Sequence, residues 1–417
     1  MKRRAHPQPV QTPLFCVAPP ESHAGRRAEA RAPMAVAGLF SGIGGFERGL
    51  AAAGHNPTML CESWEPARAV LAARFPGLPV HPDVCALESV PPGVELLTAG
   101  FPCQDLSQAG MTAGLAGERS GLVYEVFRLL ARSRVPWVLI ENVPFMLRLR
   151  GGEALTVIVD ALEKLGYRWA YRVVNSKAFG VPQRRERVFL LASLDGDPRD
   201  VMLVDDPGAP PEPRLEDWRQ HACGFYWTEG IRGLGWATDA VPTLKGGSTI
   251  GIPSSPGIVL RSGELVTPHL RDAERMQGFD PDWTAPATAA GRGSHRWKLV
   301  GNAVTVDVIR WIGQRLRQPG VFDARTSAPL RVRPGWPSAA WGSADDGRWE
   351  APVSMYPVRT TAPSSLEGFL QDETRPLSVR ATAGFYKRAM SGSLRFPPGF
   401  LDIVRAHLER PESAAAK

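Results

Sequence analysis

From residue 34 to residue 194, short apolar runs alternate with amphipathic stretches. The runs at 34–40, 58–61, 94–99, 138–140, 171–174 and 188–192 predict strands, and apolar positions at helical spacing predict helices over 46–53, 66–75, 124–131 and 155–165. Strands alternating with helices of this length predict right-handed crossovers, and hence an α/β, doubly wound, mostly parallel sheet covered on both faces. Ligands of such sheets sit at the carboxyl ends of the strands. The glycine loop after Phe40 and the segment around Cys103 both fall there.

The alternation stops after residue 194. Residues 195–213 are rich in Pro, Gly and Asp and read as a linker, and 215–268 are rich in Gly, Trp and Ser with few helical signals. Helical patterning resumes over 271–277 and 304–316. Beyond residue 319 comes a stretch rich in Pro, Ser and Trp, with a helix predicted at 399–408. The expected organisation is a disordered basic tail (1–33), a catalytic and cofactor-binding domain (34–194), a small loop-rich recognition domain (195–268), a return of the chain to the first domain (269–318), and an extension to which no role is assigned (319–417).

Composition narrows the classes. With 417 residues, 43% of them hydrophobic, the chain can bury a large core. No run of about eighteen uncharged apolar residues occurs and no apolar leader opens the chain, so neither membrane spanning nor secretion is expected. The five cysteines are odd in number and lack metal-ligand spacing, which reads as free thiols in a reducing cytosol and no metal site. Of the net charge of +7, the first 33 residues supply +4, from six basic side chains against two acids. The remaining +3 is consistent with a nucleic-acid partner.

Candidate chemistry follows the strand ends. Phe40-Ser41-Gly42-Ile43-Gly44-Gly45 joins the first strand to the first helix, where glycines allow a tight turn and close approach of a ligand. The third glycine of a dinucleotide fingerprint would fall at Glu47, so a nucleoside without a pyrophosphate fits better. Glu62 ends the second strand, where an acid meets ribose hydroxyls, and Asp83 lies where a carboxylate could meet an adenine amino group. Cys103, in Phe101-Pro102-Cys103-Gln104, is a nucleophile candidate, although a small buried thiol packing as a hydrophobe is the plainer reading of it alone. Glu141 ends the strand one crossover later, and Arg185 and Arg187 alternate on a later strand and so point to one side.

In this order, together with Gly180-Val181-Pro182-Gln183-Arg184-Arg185-Glu186-Arg187, the 271–279 segment and Val300-Gly301-Asn302-Ala303-Val304, these motifs resemble those of the cytosine-C5 DNA methyltransferases over about residues 34–318. The resemblance implies a Rossmann-like methyltransferase fold and S-adenosyl-L-methionine as cofactor, bound by Phe40, Ser41, Gly42, Gly44, Gly45, Glu62, Asp83, Pro102 and Asn302. It implies double-stranded DNA as partner and a cytosine flipped out of the stack. Cys103 would add to C6, Glu141 would protonate or hydrogen-bond N3, Arg187 would bind O2, and Arg185 would add positive potential. A bacterial cytoplasmic, nucleoid-associated enzyme of restriction-modification or phage defence is expected, acting as a monomer on DNA beside cognate restriction or defence proteins. The chain departs from the family at Gly38, where an Asp usually stands two residues before the Phe of the glycine loop, which removes one contact to the methionine amino group. Leu106 also replaces a usual Phe, and Trp64 a usual Asp. The alternatives are a tRNA cytosine-5 methyltransferase of the same fold and a non-catalytic nucleic-acid-binding relative.

Overall fold

Strand β1 (Ala35–Leu39) sets the pattern of the main sheet. Ala37 and Leu39 enter one apolar core and Val36 enters the other, because successive side chains leave opposite faces of a strand. It is followed by α1 (Gly45–Ala52), β2 (Asn56–Cys61), α2 (Glu65–Arg74), β3 (Val80–His81), β4 (Leu96–Ala99), α3 (Leu122–Ser133), β5 (Trp137–Asn142), α4 (Glu153–Lys164), β6 (Arg168–Asn175), β7 (Gln183–Arg184) and β8 (Glu186–Ser193). Apart from the two-residue strands β3 and β7, which no apolar run announces, these are the elements that the sequence predicts, displaced by a few residues at their ends. The computed structural model describes residues 30–101, 121–248, 254–331, 333–360 and 364–409.

Strands β3, β2, β1, β4 and β5 are parallel neighbours in that order. Strand β8 then inserts antiparallel between β5 and β6. One face is covered by Val126, Phe127 and Leu130 of α3 with Leu155, Ile158 and Leu162 of α4. The other is covered by Phe46 and Leu50 of α1 and by a late helix described below. Each fully buried Val or Leu contributes about 2 kcal/mol, and both faces contain many.

The second lobe is built from short pieces: β9 (Cys223–Phe225), β10 (Trp236–Thr238), β11 (Val241–Pro242), β12 (Gly257–Val259) and β13 (Leu265–Thr267). The chain then returns through α5 (Leu270–Met276), α6 (His295–Asn302) and α7 (Val306–Arg317), whose Val308, Ile309 and Ile312 complete the second face of the main sheet. Beyond it lie β14 (Ala328–Pro329), β15 (Ala339–Ser343), β16 (Gly347–Glu350), β17 (Arg375–Pro376), α8 (Val379–Ser391) and α9 (Phe400–Leu408).

The last hundred residues are shared between the lobes. Strand β15 pairs antiparallel with β6 and carries β16 and β14 outward, so the main sheet has ten strands and β6 is not its edge. Strand β17 closes the five-stranded antiparallel sheet of the second lobe beside β13. Phe385 of α8 and Phe400 of α9 pack on Phe225, with ring centroids 4.6 and 5.6 Å away. Buried Arg172 of β6 fixes the connection by donating to the carbonyls of Ser354, Met202 and Asp205 and to the Asp206 carboxylate.

One boundary is corrected at the other end. Residues 1–29 lie outside the described residues, but Arg31 is not part of a free tail. Its amide donates to Arg317 O at 2.8 Å, and its guanidinium lies over the Trp137 ring at 4.6 Å. A main-chain bond and a cation–π contact dock this stretch on the first lobe.

Candidate active site

The ends of β4, β5 and β8 surround a cavity of about 340 Å³. It is lined by Gly100, Phe101, Glu141, Arg187 and, from the second lobe and the return of the chain, Lys245 and Asn302. Glu141 ends β5 and points across to β8, where its Oε1 lies 3.0 Å from Arg187 Nε. The side chains are 12% and 15% exposed, so the pair is shielded yet opens to the cavity. Burial raises the Glu141 pKa, and the charges of Arg187 and Arg185 pull it part of the way back. A carboxyl held in this balance can carry a proton to a ring nitrogen and still be stable as the anion.

Arg185 lies beside this pair but is used differently. Its Nη1 donates to Leu244 O at 2.9 Å and Gly301 O at 3.2 Å, and its Nη2 to Ala303 O at 2.6 Å. The expected source of positive potential is therefore also a clasp between the second lobe and the return of the chain, because its planar fork reaches carbonyls of both. Its Nε has no partner among the described residues. Burial and the neighbouring Arg187 push its pKa well down, against the opposing pull of Glu141.

Cys103 and Pro102 lie outside the described residues. The approach to them is described: Asn142 Nδ2 donates to Phe101 O at 3.1 Å, and Glu141 Oε2 faces Gly100. The chain therefore arrives at residue 101 on the rim of the Glu141 cavity. Among the described residues the cysteines are Cys61, Cys85 and Cys223. Burial pushes Cys61 up to about 12, Cys223 to about 11, and raises Cys85 as well. Neutral thiols of this kind are poor nucleophiles. No group of three metal-ligating side chains occurs among the described residues, and no described helix is long and apolar enough to cross a membrane.

The glycine loop forms a second cradle, one strand end away. Phe40 has a φ of 56°, unusual for a bulky residue, and its ring meets Phe101 edge-on at 6.2 Å. Gly42 and Gly44 have φ of 56° and 84°. A side chain at Gly44 would enter the Phe75 ring, whereas one at Gly42 would meet nothing within 4 Å, so the crest of the loop is open. Gly45 starts α1 against Val304, and Ser41 is buried. Glu62 organises this crest: its Oε2 accepts from Gly42 N and its Oε1 from Trp64 N, both at 2.8 Å. Each oxygen keeps a lone pair for a hydroxyl. Asp83 is exposed, with Oδ1 accepting from Cys85 N at 2.8 Å. The open crest and a carboxylate held by backbone donors fit a nucleoside cofactor.

Asn302 ends α6 against Gly246 and lines the Glu141 cavity; Gly301 beside it packs so tightly on Lys245 that a Cβ there would overlap its carbonyl. Other residues emerge only from the fold. Buried Gln183 donates to Met276 O and to Gln277 and accepts from Leu244 N, while Gln277 donates to Val300 O and Ala303 O. Tyr226 lies under Lys245 Nζ at 4.0 Å, and Lys245 pairs with Glu229 at 3.4 Å. The one sign of the glutamines in the sequence is their place within the 180–187 and 271–279 motifs, and Tyr226 carries none.

Comparisons with known proteins give the family. The family model described as C-5 cytosine-specific DNA methylase matches residues 34–215. The chain is 47% identical over 367 residues to the Type II methyltransferase M2.BsuMI of Bacillus subtilis (strain 168), spanning 85% of this chain and 93% of that relative. It is 28% identical over 313 residues to the Type II methyltransferase M.Bsp6I of Bacillus sp. (strain RFL6), covering 67% of this chain and 98% of that one. A crystal structure of S. pombe Dnmt2 methyltransferase shares the fold, with a TM-score of 0.50 at 17% identity over 68% of this chain and 98% of that chain. The chain belongs to the cytosine-C5 DNA methyltransferases, and cytosine in DNA is the base it methylates.

Proposed function

We propose that this enzyme methylates a cytosine flipped out of a specific duplex DNA sequence, through a covalent bond from Cys103 to C6, as the modifying half of a restriction-modification or phage-defence system. The observation that carries the reading is the Glu141–Arg187 pair, 3.0 Å apart on the cavity that residue 101 rims. A stacked base cannot present C6 to a thiolate, so the base must leave the helix to react. In this reading the cavity would take one base, with Glu141 meeting N3 and Arg187 the exocyclic O2.

Cys103 would attack C6 while Glu141 delivers a proton to N3, so that C5 becomes an enamine-like carbon nucleophile. Arg187 would draw charge from O2 by a charge-assisted bond and hold Glu141 in place. Arg185 would keep the second lobe against this edge and add positive charge. S-Adenosyl-L-methionine, held by Phe40, Ser41, Gly42, Gly44, Gly45, Glu62 and Asp83 and, on the family's pattern, by Pro102, would supply the methyl group as an electrophile. Loss of the C5 proton then lets the Cys103–C6 bond break and frees the thiolate.

In this reading the second lobe recognises the site on the duplex, Lys245 and Tyr226 lie where it meets the flipped base, and the enzyme works as a monomer in the cytoplasm beside a cognate nuclease. Its Type II relatives favour this role. The test is bisulfite sequencing of plasmid DNA from cells expressing the protein, beside a Cys103→Ala control. A defined cytosine context should be protected with the wild-type enzyme and unprotected with the variant. Protection in neither sample would sink the duplex-DNA reading; methylated tRNA from the same cells would favour the tRNA alternative, and no methylation of either a non-catalytic role.

A further inference from the structure

Glu47 has no part in the mechanism above, yet it is the most unusual charged group in the first lobe. It lies in the first turn of α1, is fully buried, and neither carboxylate oxygen completes a hydrogen bond with any described residue. Burial pushes its pKa up to about 7; Glu62 adds to the rise, and its own amide and the nearby Ser41 hydroxyl pull it down. An acid in a first helical turn ordinarily faces solvent and favours the helix dipole. This one faces inward.

Gly38 explains where it goes. A Cβ built on Gly38 would overlap Glu47 Oε1 and lie 2.7 Å from Ser41 Oγ. The carboxylate of Glu47 thus fills the room that a side chain at position 38 would occupy, directly behind the glycine loop. Position 38 is where the resembled family carries an acid and this chain has none. The room taken places the carboxylate directly behind the loop, and its two oxygens find no partner among the described residues.

We propose that Glu47 is the positioning residue for the cationic methionine end of the methyl donor, supplying from helix α1 the negative charge that position 38 lacks. The inference rests on S-adenosylmethionine being the donor. That molecule carries a sulfonium and an ammonium against one carboxylate, and so a net positive charge. A buried anion without a partner is unfavourable, and a cation arriving beside it in a low-dielectric site relieves that cost. Glu47 lies behind the loop and acts on the donor through it, without touching the transferred methyl.

The test is calorimetric titration of wild type and Glu47→Gln with S-adenosylmethionine and with 5′-methylthioadenosine, which keeps the adenosine and thioether but lacks the amino-acid end. Glu47→Gln should weaken S-adenosylmethionine binding about tenfold or more, the scale of a lost charged contact, and leave 5′-methylthioadenosine within about twofold. Unchanged affinity for S-adenosylmethionine, or equal weakening of both ligands, would overturn the assignment; equal weakening would mark a purely structural role. A second variant, Gly38→Asp with Glu47→Ala, returns the acid to position 38 and clears its space. It should recover most of the lost affinity, and a folded double variant that recovers none would overturn the shared-site argument. If wild type itself binds no S-adenosylmethionine, the donor reading fails first, and with it the ground for this one.

Discussion

Strands β1, β4 and β5 of the first lobe are buried on both faces and lie beside strands joined to them by single crossovers. Strands β9, β12 and β13 of the second lobe are three residues each, and their core is completed by Phe385 and Phe400 from more than a hundred residues further along. In the first case each strand carries enough apolar surface to specify its place. In the second the strands carry little, and the lobe depends on a distant segment to bury them. The strands that hold the chemistry therefore specify their own places, with α7 and β15 added from later in the chain, whereas the short strands of the lobe facing them depend on a distant segment for their core.

The comparison breaks most visibly at Phe385. The side chain is fully buried between Phe225 and Phe396, so Phe385→Ala should cost about 4 kcal/mol through the cavity it leaves. Because that cavity lies in the second lobe alone, urea unfolding should show an early transition there while donor affinity stays near wild type. A single transition with donor binding lost in parallel would mean that the lobes are one cooperative unit.

Arg185 tests the seam between them. Arg185→Ala would leave the carbonyls of Leu244, Gly301 and Ala303 without this donor, a loss of about 3 kcal/mol. Arg187→Ala removes only the partner of a partly open Glu141, so it should cost less stability and yet abolish methylation in the bisulfite assay. Equal stability loss in the two variants would reject the division between a clasp and a substrate-facing arginine.

The same contrast explains what the sequence disclosed. Doubly buried strands leave unbroken apolar runs and amphipathic helices keep a 3.6-residue period, so the first lobe and the Glu141–Arg187 edge were legible from residue types and order. A three-residue strand such as β9 has no period to detect, and β15 and β16 sit in a stretch where Trp, Gly and Ser alternate without an apolar run. Their partners, β6 on one side and β13 for β17 on the other, are set by contacts across the whole chain. The position of Asn302 has a related origin: its motif is recognisable, but its place on the Glu141 cavity depends on Lys245 and Gly246 packing against Gly301.

Glu47 gives an effect spread over a range of pH and shows that the first lobe is not optimised for stability throughout. Its folded pKa near 7 lies above the ordinary value of 4.5, so the folded state holds its proton more tightly than the unfolded one. Below pH 4.5 both states are protonated and the group does not disfavour folding; as pH rises towards 7 the unfolded chain ionises first, and stability is lost. Above pH 7 the loss levels off at no more than about 3.5 kcal/mol, from 1.4 kcal/mol for each pKa unit. Glu47→Gln does not titrate, so in the absence of donor its stability relative to wild type should climb between pH 4.5 and 7 and then hold. Urea midpoints at pH 5, 6, 7 and 8 measure that climb. A difference between the two proteins that stays flat over this range would show that Glu47 already has a partner in the free enzyme, and that its burial there is structural.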